Sequence, residues 1–134
     1  MSLNAQDALI HLMVTTASSD ASISQQELQR IEAAIERMPI FAGYDRTRLE
    51  TVANQCIDVI NRAGIEAALD AAVAAVPARL HDTAYALAVE IAVVDLHLPQ
   101  EELRLLEMIR DRLPIDRLLT AAIEAAARAR MRTA

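Results

Sequence analysis

Hydrophobic residues recur at intervals of three and four positions along most of the chain, which is the spacing of helices that each bury one face. The fifth such segment is the clearest, with apolar positions at Leu80, Ala84, Leu87, Ile91 and Val94. The segments cover about residues 4–18, 25–38, 45–62, 65–76, 80–95 and 99–113, and a seventh begins near 115. The pattern predicts an all-α fold, a single compact bundle of about seven helices over residues 1–134.

Residues that favour helix ends separate these segments. Ser24 and Glu27 form the S-x-x-E pattern of a capping box, in which each side chain bonds the other residue's backbone N–H. Asp45 can cap the third helix, and Gly64 can end it because glycine tolerates the backbone conformation found after many helices. The remaining boundaries are marked by prolines, which begin or interrupt helices, at Pro39, Pro77, Pro99 and Pro114.

The composition supports a helical core and excludes some other classes of protein. Hydrophobic residues make up 54% of the 134 residues and aromatic residues 2%, so the core must consist of aliphatic side chains and alanine. Two glycines and four prolines are too few for a fold rich in turns. Cys56 is the single cysteine, which excludes an intramolecular disulfide, and it falls on an apolar stripe that predicts a buried thiol.

The charge distribution argues against nucleic acid as a partner. The net charge is −6, and all 13 basic residues are arginine. Arg128, Arg130 and Arg132 form the one basic cluster, which suits the C-terminal end of a helix, with a phosphate or anionic-lipid contact as the alternative. The chain carries no evident secretory signal and no apolar run long enough to span a membrane, so we expect a cytoplasmic location.

Two segments of the chain are similar to each other. Residues 20–40 align with residues 95–115 without gaps at an offset of 75, and eight of the 21 aligned positions are identical. The similarity predicts two pseudo-symmetric helix-loop-helix units, the first repeat at about 5–40 and the second repeat at about 80–115, joined by helices at about 45–76. The identical pairs are Asp20 and Asp95, Gln25 and Gln100, Glu27 and Glu102, Leu28 and Leu103, Glu32 and Glu107, Arg37 and Arg112, Pro39 and Pro114, and Ile40 and Ile115.

Each repeat carries an aspartate followed seven positions later by a glutamate, namely Asp20 with Glu27 and Asp95 with Glu102. One interpretation is structural, since a glutamate in the first turn of a helix is stabilised by the helix dipole and an aspartate suits a turn. The other is that the carboxylates bind Ca²⁺, Mg²⁺ or Mn²⁺, which prefer oxygen ligands. The spacing is not that of an EF-hand, because the twelfth position from Asp20 is Ile31 rather than glutamate.

The segments ASSDASISQQE, from Ala17, and AVVDLHLPQEE, from Ala92, resemble the repeated signature A-x-x-D-G-x-[IL]-x-x-x-E of the TerB-like tellurite-resistance family. Ala21 and Leu96 stand where the signature has glycine. The resemblance covers about residues 5–116. It implies a compact helical domain with a cation-binding acidic surface and a role in tellurite resistance or the general stress response. Related domains occur beside J-domain co-chaperones. The metal ligands implied are Asp20, Glu27, Asp95 and Glu102.

We therefore expect a non-catalytic TerB-like stress-response module that binds a divalent cation and a protein partner, without an organic cofactor. The alternatives are a metal-free adapter for protein interactions and, as a third interpretation, a metal-dependent hydrolase. The sequence contains no glycine-rich phosphate loop and no recognisable nucleophile motif, so we do not expect an enzyme. The oligomeric state stays open.

Overall fold

The computed structural model of the protein describes residues 3–18, 22–93 and 100–134, with residues 100–102 described by their backbone alone. Within these ranges the chain forms seven α-helices and no strand, which confirms the predicted all-α bundle. The helices are α1 Ala5–Ala17, α2 Gln25–Arg37, α3 Leu49–Ala63, α4 Ile65–Ala74, α5 His81–Val93, α6 Gln100–Arg112 and α7 Arg117–Arg130.

The predicted signals at Ser24, Glu27 and Gly64 act as the sequence indicates, whereas the predicted cap at Asp45 is wrong for α3. The backbone N–H of Ser24 donates to Oε1 of Glu27 at 2.8 Å, and the backbone N–H of Glu27 donates to the Ser24 hydroxyl at 3.1 Å, which completes the capping box. Gly64 joins α3 to α4 with a φ of 92°, a value that a residue with a Cβ rarely adopts. Asp45 caps a short 3₁₀ turn at Arg46–Arg48 instead of α3 itself, so α3 begins at Leu49.

Helix α1 lies at the centre of the bundle and contacts each helix from α2 to α6. Every residue from Asp7 to Ala17 is buried, which is more than the single apolar stripe predicted for this helix. The reason is that neighbours cover α1 on all sides, so its polar residues are buried as well. Thr15 and Thr16 tolerate this because their hydroxyls each donate at 2.8 Å to the carbonyl four residues earlier.

The contacts of the two helix pairs are reciprocal. Within the pairs, α1 contacts α2 and α5 contacts α6. Between the pairs, the first helices α1 and α5 contact each other, and each second helix contacts the first helix of the other pair, α2 with α5 and α6 with α1. A pseudo-two-fold axis between the repeats produces such an exchange of contacts. One hydrophobic cluster includes buried residues from all seven helices. The assignment of residues 1–134 to one domain with two repeat units stays a prediction.

Candidate functional site

The acidic residues predicted to bind a cation fall largely outside the structural description. Asp20 and Asp95 lie outside the described residues, and Glu102 lies in α6 with its side chain outside them. Glu27 is described and half-buried, and its Oε1 accepts the Ser24 backbone N–H. The structure therefore establishes the capping role of Glu27 and leaves the convergence of the four carboxylates a prediction.

The described residues alone do not assemble a cation site. No group of three or more histidine, cysteine, aspartate or glutamate side chains lies close enough together to hold an ion in residues 3–18, 22–93 and 103–134. Glu27 keeps ligand capacity, because a carboxylate has about four lone-pair positions and the capping box uses one. A cation bound by Glu27 would need further ligands from the segment that joins α1 to α2 or the segment that joins α5 to α6. We call these two segments the acidic connections.

Glu90 of α5 forms an ion pair across the two repeats. Its Oε1 lies 3.0 Å from Nη2 of Arg37, the last residue of α2, and the Glu90 side chain is 16% exposed. Glu27 lies in the first turn of α2, and the helix of 13 residues is about 18 Å long from end to end. The partner of Glu90 is therefore at the end of α2 that is opposite to Glu27.

Cys56 and His11 lie side by side in the core and lack the surroundings of a nucleophile. Cys56 Sγ lies 3.4 Å from Oγ1 of Thr15 and 3.5 Å from the carbonyl oxygen of His11. Burial raises the pKa of the Cys56 thiol to about 11, so it stays protonated at neutral pH and behaves as a small buried side chain, as predicted. Burial also lowers the pKa of His11, against the opposing effect of nearby Asp7.

One cavity among the described residues lies between α5, α6 and α7. Its volume is about 490 Å³, which is within the range of roughly 300–1,000 Å³ for small-molecule sites. We call it the α5–α7 groove and define it by its lining residues, Tyr85, Val89, Val93, Leu103, Leu106, Glu107, Arg110, Glu124, Arg128, Met131 and Arg132.

The three helices give the α5–α7 groove a floor and two walls. Tyr85, Val89 and Val93 recur every fourth residue, so they share one face of α5 and form the floor. Leu103 and Leu106 contribute the apolar part of the α6 wall, and Leu103 is 41% exposed there. Tyr85, Val89 and Leu106 are 8% exposed or less, so the groove is apolar and solvent reaches it on the side of Leu103.

A hydrogen-bonded trio occupies the Tyr85 end of the groove. The Tyr85 hydroxyl donates to Oε2 of Glu124 at 2.6 Å, and Nη1 of Arg110 lies 3.4 Å from the same oxygen. Burial, together with the Glu124 carboxylate, raises the pKa of Tyr85, so this hydroxyl remains a donor at all physiological pH values. The trio joins the three helices and fixes the width of the groove at this end.

Two arginines, one in the last turn of α7 and one just beyond its end, have no such partner among the described residues. Arg128 and Arg132 line the groove and are exposed, and neither forms an ion pair with another described residue. Glu107 is the one acid of the lining without an ion pair among the described residues. With Arg110 compensated by Glu124, the groove carries a positive excess in a chain of net charge −6.

The sequence analysis identified Arg128 and Arg132 but not their connection to a cavity. A signal was present in α5, where Tyr85, Val89 and Val93 form a second apolar row beside the stripe of Ala84, Leu87 and Ile91. A helix that is apolar on two faces must meet neighbours on both. The row did not reveal that this face lines a cavity between two neighbouring helices.

The comparisons with known proteins identify no relative from which a function could be inferred. The chain matches no protein-family model, no curated protein and no solved structure. In the part of the chain that the structure describes, every helix is too short or too polar to cross a membrane.

Proposed function

We propose that the protein is a non-catalytic, TerB-like stress-response module that binds a divalent cation through its two acidic connections and binds a protein partner. The observation that carries the proposal is the recurrence of one Asp–Glu pair in equivalent connections of two helix pairs. Asp20 with Glu27 and Asp95 with Glu102 keep the same spacing although only eight of 21 aligned positions are identical. Helix capping explains the glutamates, but each aspartate follows a helix C-terminus, where a negative charge is unfavourable.

The helix contacts support this proposal. Reciprocal packing of α1–α2 and α5–α6 is what a duplicated helix-loop-helix unit would produce. Oxygen ligands suit Ca²⁺, Mg²⁺ and Mn²⁺, and a bound cation would neutralise carboxylates that otherwise repel one another. The link to tellurite resistance rests on the resemblance of the two acidic segments to the TerB-like signature.

Native mass spectrometry and thermal unfolding with Ca²⁺, Mg²⁺ and Mn²⁺ test the proposal. A specific cation should raise the melting temperature, with about 2.7 kcal/mol of added stability at one hundred times its Kd. The double variant Asp20→Asn/Asp95→Asn should lose most of that shift and should melt above the wild type in EDTA. The control Asp58→Asn/Asp111→Asn removes the same charge from exposed positions on α3 and α6 and should keep the shift.

The number of bound ions per chain and the hydrolysis of ester substrates give two further tests. One bound ion per chain would mean that the four carboxylates converge, and two would mean that each acidic connection binds separately. An unchanged melting temperature over the whole cation series would contradict cation binding. Turnover of phosphate or carboxylate esters by the cation-loaded protein would contradict the non-catalytic part.

One observation favours the metal-free adapter as the second candidate. Leu118 and Leu119 are adjacent on α7, and they are 80% and 42% exposed. Exposed neighbouring leucines are typical of a surface that another protein covers. If cations have no effect, the function to pursue is this protein contact, by pull-down with the wild type and with Leu118→Ser as the negative control.

A further inference from the structure

We propose that the α5–α7 groove binds a single-chain amphiphile, with the acyl chain on the apolar floor and an anionic head group at Arg128 and Arg132. The class includes medium-chain carboxylates and alkyl phosphates, which share a chain and a negative head. None of the four carboxylates predicted to bind a cation is among the lining residues of the groove.

The shape of the groove suits one flexible apolar chain. The floor from Tyr85 to Val93 covers nine residues of α5, or about 12 Å along the helix axis. Val89, Val93, Leu103, Leu106 and Met131 supply apolar contacts on all three sides. A cavity of about 490 Å³ that is apolar in its body and polar at its ends is the arrangement by which small amphiphiles are recognised.

The charge of the groove selects an anionic head. Arg128 lies in the last turn of α7 and Arg132 lies two residues beyond its end, and because both line the groove, both guanidinium groups can reach one carboxylate or phosphate there. Glu107 on the opposite wall opposes one of these charges, and the excess stays positive. Because the whole chain has a net charge of −6, an anion is attracted to this groove by local rather than overall charge.

The polar end of the groove argues against a partner helix as the occupant. Tyr85, Glu124 and Arg110 are bonded to one another there, so the apolar floor stops at a closed set of polar contacts. A helix laid along the groove would bury that trio against its own apolar face. In addition, Leu118 and Leu119 are not among the groove's lining residues, so the exposed leucines do not extend its apolar floor.

Isothermal titration calorimetry with laurate, below its micelle concentration, tests the proposal on the full chain. We expect saturable one-to-one binding, and no comparable binding of dodecyltrimethylammonium, which has the same chain length and a positive head. In the series octanoate, decanoate and laurate, each added methylene should tighten binding by about threefold to fourfold until the floor is filled. Dodecyl phosphate binding more tightly than laurate would identify the phosphate head as the preferred one.

Matched variants locate the binding within the groove. Arg128→Ala/Arg132→Ala should weaken laurate binding about tenfold, whereas Arg117→Ala/Arg130→Ala, which removes two exposed arginines of the same helix outside the lining, should leave it within twofold. Leu103→Glu should weaken binding at least tenfold, and Leu118→Glu is its control because Leu118 is exposed and outside the groove. Circular dichroism of each variant confirms that it is folded.

Three outcomes would overturn the proposal. The first is no saturable laurate binding, and the second is equal binding of the cationic amphiphile. The third is binding that survives both Leu103→Glu and the double arginine variant. If laurate does not bind and an acidic amphipathic peptide does so in a Leu103-dependent manner, the groove is a protein interface instead.

Discussion

Helices α1 and α5 hold equivalent places in the two predicted repeats, but their neighbours cover them to different extents. Every residue of α1 from Asp7 to Ala17 is buried. In helix α5, Tyr85 and Val89 are buried as well, but Val93 at the end of the helix is partly exposed, and these three residues line the α5–α7 groove. The same place in the predicted repeat is therefore occupied by a helix covered on all sides in one case and by a helix that lines a cavity in the other.

The second helices of the two predicted repeats, α2 and α6, also differ in how their equivalent positions are packed. Ile31 and Ile35 of α2 are 0% and 4% exposed, whereas their equivalents in α6, Leu106 and Arg110, both line the groove. The replacement of an isoleucine by Arg110 at an equivalent position requires a polar partner, and Glu124 provides it at 3.4 Å. An apolar side chain of the first repeat is thus replaced by an ion-paired side chain in the second. We call the first the closed repeat, because α1 is covered on all sides, and the second the open repeat, because α5 and α6 line the groove.

The cause is the set of helices that pack beside each pair. Both α3 and α4 pack against α1, whereas α7 packs against α5 from outside the repeat. Helices α6 and α7 both contact α5 but make few contacts with each other in the described residues, and the groove lies between them. The comparison indicates that the two helix pairs have the same arrangement, and that the helices packed beside them make the difference. Helices α3 and α4 cover the first pair, whereas α7 leaves a groove beside the second.

The largest expected effect comes from truncating the equivalent positions Ile31 and Leu106. Ile31→Ala should lower the free energy of unfolding by about 4 kcal/mol, because the closed repeat leaves a cavity that its neighbours cannot fill. Leu106→Ala should cost roughly 2 kcal/mol, at the low end for such changes, since solvent already reaches the groove beside it. Urea unfolding measures both values, and equal losses would contradict the distinction between a closed and an open repeat.

A second prediction concerns the pH dependence of the closed repeat. His11 is 4% exposed, and its Nε2 has no hydrogen-bond partner among the described residues, while its equivalent in α5 is Ala86. Because burial lowers the pKa of His11 in the folded state, protons bind preferentially to the unfolded chain. Stability is therefore complete above the unfolded pKa of about 6.5 and falls as the pH drops below it, by at most about 1.4 kcal/mol per pH unit.

Urea unfolding between pH 5 and pH 8, the range in which histidine titrates, measures this dependence of stability on pH. His11→Gln should show a weaker pH dependence than the wild type. His81→Gln is the control, since His81 is half-buried and its Nε2 lies 3.2 Å from the carbonyl oxygen of Val76. A wild-type slope in the His11 variant would mean that other groups control the acid sensitivity.

The smallest expected effect distinguishes the equivalent arginines Arg37 and Arg112. Arg112 lies 2.6 Å from Asp70 and 3.5 Å from Glu66, and its side chain is 21% exposed, whereas Arg37 pairs with Glu90 alone and is 60% exposed. Arg112→Ala should cost about 1 kcal/mol and Arg37→Ala at most about 0.5 kcal/mol. Both losses should shrink at high salt, and a larger loss for Arg37→Ala would reverse the assignment.

Local signals in the sequence account for most of the helix boundaries. The capping box of Ser24 and Glu27, the end of α3 at Gly64 and the placement of Cys56 in the core were all predicted and are confirmed. These features depend on residues within a few positions of one another, where backbone sterics and capping dominate. The predicted fourth helix extended to residue 76, but α4 ends at Ala74, before the turn that precedes Pro77.

The candidate groove could not be predicted because it depends on contacts far apart in the chain. Tyr85 and Glu124 are 39 positions apart, and only the packing of α7 on α5 brings them to 2.6 Å. Periodicity reveals which face of a helix is apolar but not whether a neighbour covers it completely. The cation hypothesis for Asp20, Glu27, Asp95 and Glu102 likewise rests on spacing and resemblance and stays a prediction.

The central position of α1 also has a consequence for how the chain folds. Each helix that covers α1, from α2 to α6, follows it in the sequence, so the apolar side chains of α1 are not fully covered until α6 has been synthesised. Contacts of such long sequence separation form slowly, because the intervening chain must be ordered first. During synthesis, α1 is consequently the segment with the greatest need of a chaperone, and a chain that stops before α6 would aggregate through it.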